Sequence, residues 1–139
     1  VLSFAYTILA GECANSLYSV GLDPYVGFMH GDKPGRTSLA LDLMEELRPI
    51  MADRFILTLI NTKALRASHF ETQQDHAVLL NEEGRKVFFN AWQNRKKETL
   101  THPFLKEKME WGLVPYIQAL LLARTVRGDL DEYPPFLWK

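Results

Sequence analysis

One cysteine, Cys13, is all the thiol chemistry this chain carries, so no internal disulfide can staple it. It stands among Ala10, Gly11 and Ala14 and reads as a small packing residue, which fits a reducing, cytoplasmic setting. Long apolar runs are also missing. The longest candidates are broken by Arg, Asp or Pro, which excludes a membrane-crossing helix and any membrane partner that needs one. No basic stretch or cleavage motif marks the first residues as a signal peptide. Neither sign of charge dominates: 16 Lys and Arg stand against 17 Asp and Glu, for a formal net charge of -1. A nucleic-acid partner would therefore have to be held by local patches or by metal. Finally, no capping residue precedes the apolar segment Val1, Leu2, Phe4, Ala5, Ile8 and Leu9. The chain opens inside a helix-like pattern and reads as a piece of something longer, whereas residues 133–139 read as a natural tail.

What is present suits one globular domain. The 139 residues are 47% hydrophobic and 24% charged, enough to bury a core without disulfides. Residues 1–20 read as a helix of small and apolar residues, closed by Gly21. Residues 22–36 are rich in turn formers. Thr37 or Ser38 can cap a second helix over residues 39–48. Pro49 withdraws an N–H from the carbonyl of Glu45 and crowds it, so a kink or short break is expected there. Residues 50–61, apolar on almost every side, predict a central buried helix. Ala77–Leu80 is a candidate strand, and Asn81 a cap for a helix through about Lys97. The last helix is expected to open near Pro103, to bend at Pro115 and to end before Gly128. No repeats or low-complexity segments are seen. The fold class expected is all-α, a multi-helix domain with at most minor β pairing.

The chemistry concentrates between His30 and Glu46. Asp42 and Glu45 are three apart on the second helix, so their carboxylates share a face, and Glu46 lies one turn from Asp42. Like charges this close repel by a few tenths of a kcal/mol in an isolated helix, a cost that a cation relieves. His30 lies in a glycine-flanked loop just upstream. One imidazole nitrogen plus hard oxygens suits Mn²⁺ or Mg²⁺, and Zn²⁺ less specifically. Such an ion polarises a phosphoryl oxygen and helps deprotonate an attacking hydroxyl. On spacing alone, however, paired acids on a helix are more often a solvated face, and His69, His76 and His102 read as surface or hydrogen-bonded residues.

The whole string from Gly27-Phe28-Met29-His30 through Lys33-Pro34-Gly35-Arg36 to Ser38-Leu39-Ala40-Leu41-Asp42-Leu43-Met44-Glu45 resembles the CRISPR-associated spacer-acquisition integrase, a DNA endonuclease family. The resemblance continues in Gly21-Leu22-Asp23-Pro24, Leu59-Ile60-Asn61, Gly84-Arg85-Lys86, Arg127-Gly128-Asp129-Leu130 and Tyr133-Pro134-Pro135-Phe136-Leu137-Trp138, and so spans essentially the whole chain. The tail is most similar to the branch of the family found in one type I subtype. The resemblance implies a C-terminal helical catalytic domain over residues 1–139, without the family's N-terminal β-rich dimerisation domain. It places the family's histidine ligand on His30, its later acidic ligand on Glu45 and the neighbouring acidic position on Asp42. A further glutamate ligand falls upstream of this chain; Glu12 is a tempting substitute but sits in the wrong segment. It also implies Mn²⁺ or Mg²⁺ as cofactor and transesterification of DNA phosphodiesters as reaction. The implied partners are double-stranded and branched DNA, a small protein of the same adaptation complex and, for the full-length protein, a second copy of itself.

Lys33, Arg36 and Arg48, beside the acidic helix, are candidate phosphate contacts, and loop-borne Tyr25 a candidate DNA contact. Lys63 and Arg66 are weaker candidates of the same kind. Arg95-Lys96-Lys97 reads better as a helix-end charge run. Trp92, Trp111, Phe88 and Phe104 read as core. Two rivals remain: a non-catalytic helical DNA- or partner-binding fragment with an incomplete metal site, and an unrelated metal phosphohydrolase.

Overall fold

The computed structural model describes residues 1–24 and 39–136. Helix α1 (Leu2–Ser19) buries Ala5, Leu9, Cys13 and Leu17. That spacing of four puts one thin stripe against the rest of the molecule. The helix ends as its glycine predicts: Gly21 has φ 86°, its N–H donates to Tyr18 O, and the N–H of Leu22 reaches back to Leu17 O at 3.0 Å. This double closure needs a left-handed residue, which glycine supplies without strain. Burial pushes the Cys13 thiol well above its ordinary pKa, with the Glu12 and Glu46 charges adding to the effect.

Helix α2 (Leu39–Arg48) packs on α1 and buries Leu39, Ala40, Leu43, Met44 and Leu47. The Ala40 N–H donates to Pro24 O at 2.9 Å, tying its first turn to the exit of α1. The expected caps, Thr37 and Ser38, lie outside the described residues. Pro49 does not break the helix. Pro49–Asp53 forms a π-helical turn closed by Arg54 N–H to Pro49 O, and α3 (Arg54–Asn61) continues from it. The widened turn accommodates the residue that lacks a donor. Tyr6 Oη donates to Asp53 Oδ1 at 2.6 Å, holding that turn to α1. Helix α3 buries Phe55, Ile56 and Leu59, but Leu57 is 56% and Ile60 47% exposed. The uniformly buried helix expected over 50–61 is therefore one-sided.

The fold is mostly helical rather than strictly all-α, and the minor β pairing expected takes the form of two small antiparallel sheets. Strands β1 (Phe70–Thr72) and β2 (Val78–Leu80) pair with Phe70 opposite Leu80. After α4 (Glu82–Lys97), β3 (Thr99–Thr101) and β4 (Lys108–Glu110) pair with Leu100 opposite Met109. The helix expected from Pro103 is absent. That proline sits in the turn of the second hairpin, where the His102 ring Nδ1 accepts from the Phe104 and Leu105 N–H groups, each at 3.1 Å. Lys106 adopts φ 60°, which ends any helix, and Phe104 is 49% exposed rather than core. A 3₁₀ turn (Trp111–Leu113) leads into α5 (Val114–Val126), with Pro115 in its first turn, where proline costs nothing. The bend expected at Pro115 therefore has no cause, and the chain turns at Gly128 (φ 87°) as expected.

Asn81 caps α4, its side chain accepting from the Gly84 N–H at 2.8 Å. Gly84 has a separate role. A Cβ there would stand 2.6 Å from the His69 carbonyl oxygen and 2.9 Å from Leu80 Cδ2, so the close approach of α4 to the 3₁₀ turn Ala67–His69 requires glycine. Helix propensity favours alanine by about 1 kcal/mol. The clash is with fixed backbone and outweighs it, so Gly84→Ala is expected to destabilise by about 1–3 kcal/mol. Urea unfolding checks this; an unchanged or raised midpoint contradicts it.

Candidate functional site

The acidic segment lies on α2, and its three carboxylates meet different surroundings because helical spacing turns them apart. Asp42 and Glu46, four residues apart, line a cavity of about 30 Å³ with Leu39, Leu43, Leu122 and Tyr133, room for one or two waters. Glu45 faces outward: its side chain is 54% exposed and its Oε2 lies 2.8 Å from Arg48 Nη1. The Arg48 guanidinium in turn sits 5.5 Å from the centre of the Tyr6 ring. The ion pair is half in water and weak, so Glu45 can exchange its partner for a cation.

Glu46, though it lines that cavity with Asp42, is already engaged. Its Oε2 accepts from Tyr133 Oη at 2.7 Å, from Gln118 Nε2 at 3.0 Å and from the Phe136 N–H at 3.0 Å. Burial raises its pKa, and the hydrogen bonds from Tyr133, Phe136 and Gln118 oppose that rise. Burial also pushes the Tyr133 phenol up, helped by the Glu46 charge. This carboxylate belongs to the tail. The signal in the sequence was weak: a lone Tyr133 and a lone Gln118, far from Glu46 in the chain.

Glu12 is also spoken for, since its Oε1 accepts from Trp92 Nε1 at 3.1 Å and from Lys96 Nζ at 2.8 Å. That joins α1 to α4. Arg95 pairs with Glu98 and lies 4.7 Å from the centre of the Trp111 ring, so two members of the basic run at the end of α4 have structural partners. His69 is buried, with Nδ1 accepting from the Arg66 N–H at 2.9 Å. His102 is fully buried and hydrogen-bonded, while His76 lies in the β1–β2 turn with φ 67°. None of these three lies beside the acids of α2 in any contact described.

His30, Lys33, Arg36 and Tyr25 fall outside the described residues. Among the described residues, no three His, Cys, Asp or Glu side chains cluster as metal ligands. What α2 offers is two hard-oxygen donors three residues apart, Asp42 at the cavity and Glu45 facing outward. Their chemistry fits a hard divalent cation such as Mn²⁺ or Mg²⁺ and leaves the remaining coordination to other groups.

Comparison with known proteins gives a consistent answer. The family model described as CRISPR associated protein Cas1 matches residues 1–94. The chain is 58% identical over its whole length to a CRISPR-associated endonuclease Cas1 from Rhodospirillum rubrum, of which it spans 40%. It is 48% identical to one from Leptospira interrogans, of which it spans 54%. Among solved structures, a casposase bound to its integration product superposes with TM-score 0.81 at 26% identity, over 99% of this chain and 40% of that one. A Cas1 protein from Thermotoga maritima superposes with TM-score 0.77 at 26% identity, over 94% of this chain and 40% of that one. A Cas6-RT-Cas1–Cas2 complex shares the fold, with TM-score 0.76 at 23% identity, over 99% of this chain and 15% of that one.

Proposed function

Because this chain belongs to the Cas1 family of CRISPR-associated proteins, we propose that it is the C-terminal helical catalytic domain of a metal-dependent DNA endonuclease and integrase of spacer acquisition. The observation that carries the reading is the position of Asp42 and Glu45. They stand three residues apart on α2, inside the span matched by the family model. Glu45 stands half-exposed where substrate and cation can reach it.

In this reading His30, Asp42 and Glu45 hold Mn²⁺ or Mg²⁺, and the upstream glutamate comes from the rest of the protein. When bound, the ion supplies charge stabilisation at the phosphoryl group and lowers the pKa of the attacking hydroxyl. A DNA 3′ hydroxyl attacks a phosphodiester. The new P–O bond forms as the bond to the displaced oxygen breaks, and that oxygen leaves as a hydroxyl after taking up a proton. Arg48, beside Glu45, and Lys33 and Arg36 offer charge to the DNA backbone, and Tyr25 is a further DNA contact. The partners are double-stranded and branched DNA, and, by the names of the structural relatives, a Cas2-type protein. The full-length protein acts as a homodimer in the cytoplasm. This chain alone has an incomplete ligand set and is expected to be inactive or impaired.

The test is to assay the chain and the full-length protein on branched DNA with Mn²⁺. Activity in the full-length protein alone supports the reading of an incomplete site. Hydrolysis of small phosphoesters by either would favour an unrelated phosphohydrolase. A full-length protein that binds DNA but never cuts or joins it would leave only a binding module.

A further inference from the structure

The segment Tyr133–Phe136 folds back across the molecule and ends on α2. Phe136 is buried between His102, at 5.4 Å and 75°, and Trp111, at 6.1 Å and 65° between rings. Its own N–H and the Tyr133 hydroxyl both donate to Glu46 Oε2. Gln118 on α5 braces them from below, its Nε2 sharing its hydrogens among Glu46 Oε2, Tyr133 Oη and Pro134 O at 2.7–3.2 Å.

The direction of that amide is itself fixed. His102 Nδ1 accepts two backbone N–H groups, so in the neutral ring the proton sits on Nε2 and is donated to Gln118 Oε1 at 2.7 Å. With its oxygen engaged there, Gln118 must turn its NH₂ toward Glu46. An ordered relay thus runs from the β3–β4 turn through His102 and Gln118 to one carboxylate oxygen of α2.

A carboxylate is a costly way to fill that position, since burying a charge needs compensating donors, and a leucine would pack without them. What the carboxylate adds is direction: three donors converging on one oxygen fix the rotation of α2 about its axis. Glu46 is one residue from Glu45 and four from Asp42. On a helix about 10–12 Å across with its side chains, a turn of only about 10° moves a group at the rim by roughly 1 Å. Catalytic groups must be held within about 0.5 Å.

We propose that Tyr133–Phe136 is an orienting strap for the metal-binding face of α2, with Tyr133, Gln118 and Glu46 as positioning residues for Asp42 and Glu45. The inference rests on the metal site proposed above. It assigns these three residues no contact with substrate or cation.

The experiment compares full-length wild-type protein with the Tyr133→Phe variant, which loses only a hydroxyl, and with Glu45→Ala. Mn²⁺ binding is titrated directly by the electron paramagnetic resonance signal of the free ion, beside the melting temperature and DNA affinity in EDTA. Tyr133→Phe is expected to bind Mn²⁺ roughly tenfold more weakly, the low end of what losing a supporting partner costs a metal site. Its DNA affinity stays unchanged, and excess Mn²⁺ restores cleavage. Gln118→Leu, if it folds, shifts Mn²⁺ binding the same way. Wild-type Mn²⁺ binding in Tyr133→Phe overturns the strap, whether or not the melting temperature falls. If Glu45→Ala binds Mn²⁺ as wild type does, the metal site itself is wrong and the strap falls with it. Weak binding in Glu45→Ala beside normal binding in Tyr133→Phe rejects the strap alone.

Discussion

Glu45→Ala in the full-length protein is expected to cut Mn²⁺-dependent cleavage of branched DNA by at least roughly 100-fold, beyond the 10–100-fold that loss of a mere supporting partner costs. The melting temperature should stay where it was. Glu45 is half in water and its described partner is Arg48, at 2.8 Å. An exposed pair of that kind is worth about 0–1 kcal/mol, so the substitution removes a ligand and little else. His30→Ala should behave alike. Its neighbour predicts the opposite. Glu46→Ala removes the acceptor of three hydrogen bonds from Tyr133, Gln118 and Phe136 and leaves buried donors without a partner, so stability falls first. Cleavage assays and melting curves on the two variants, side by side, separate ligand from anchor. Full activity in Glu45→Ala would remove the residue from the site.

The largest effect on folding is expected at Trp92. Its side chain is 2% exposed. It stacks on Phe88 with ring centres 5.8 Å apart and planes 12° apart, and meets Phe55 edge-on at 5.1 Å. Its Nε1 hydrogen goes to Glu12 at 3.1 Å. One residue therefore joins α1, α3 and α4. Trp92→Ala opens a cavity among rings that cannot collapse and should cost about 3–5 kcal/mol. Trp92→Phe keeps much of the stacking but forfeits the hydrogen bond, for about 0.5–1.5 kcal/mol from that bond. Urea unfolding followed by circular dichroism reads both; equal losses would show that the indole N–H, not the ring volume, is what matters.

Sequence reasoning found the parts whose causes are local. Gly21, Asn81 and Gly128 mark helix ends because each supplies a backbone conformation or an acceptor on the spot. It failed where distant groups decide. Pro103 is as good a helix opener as Pro115, and only the His102 ring, accepting two backbone N–H groups within a hairpin turn, makes one a turn residue and the other a first-turn residue. Likewise Asp42, Glu45 and Glu46 read as one acidic cluster by spacing. Their separation into an outward carboxylate and a buried anchor depends on Tyr133 and Gln118, which no periodicity connects to α2. Gly84 fell within the family resemblance, but the carbonyl that makes it necessary belongs to His69. The part of the site carried by resemblance alone, His30 above all, lies outside the described residues.

The π-helical turn at Pro49–Asp53 carries a consequence for how this helix can change over time. An i→i+5 turn uses one more residue than a regular i→i+4 turn, so this stretch carries one extra residue and still leaves α3 facing the way an uninterrupted helix would. A single deletion within 49–53 that restored regular winding would therefore keep Phe55, Ile56 and Leu59 on the core side. Winding the same five residues regularly would instead swing α3 by about 100° relative to the acidic face, and the exposed Leu57 and Ile60 would be driven toward the core. The wide turn is thus what lets the chain hold an extra residue without turning the core face of α3 away.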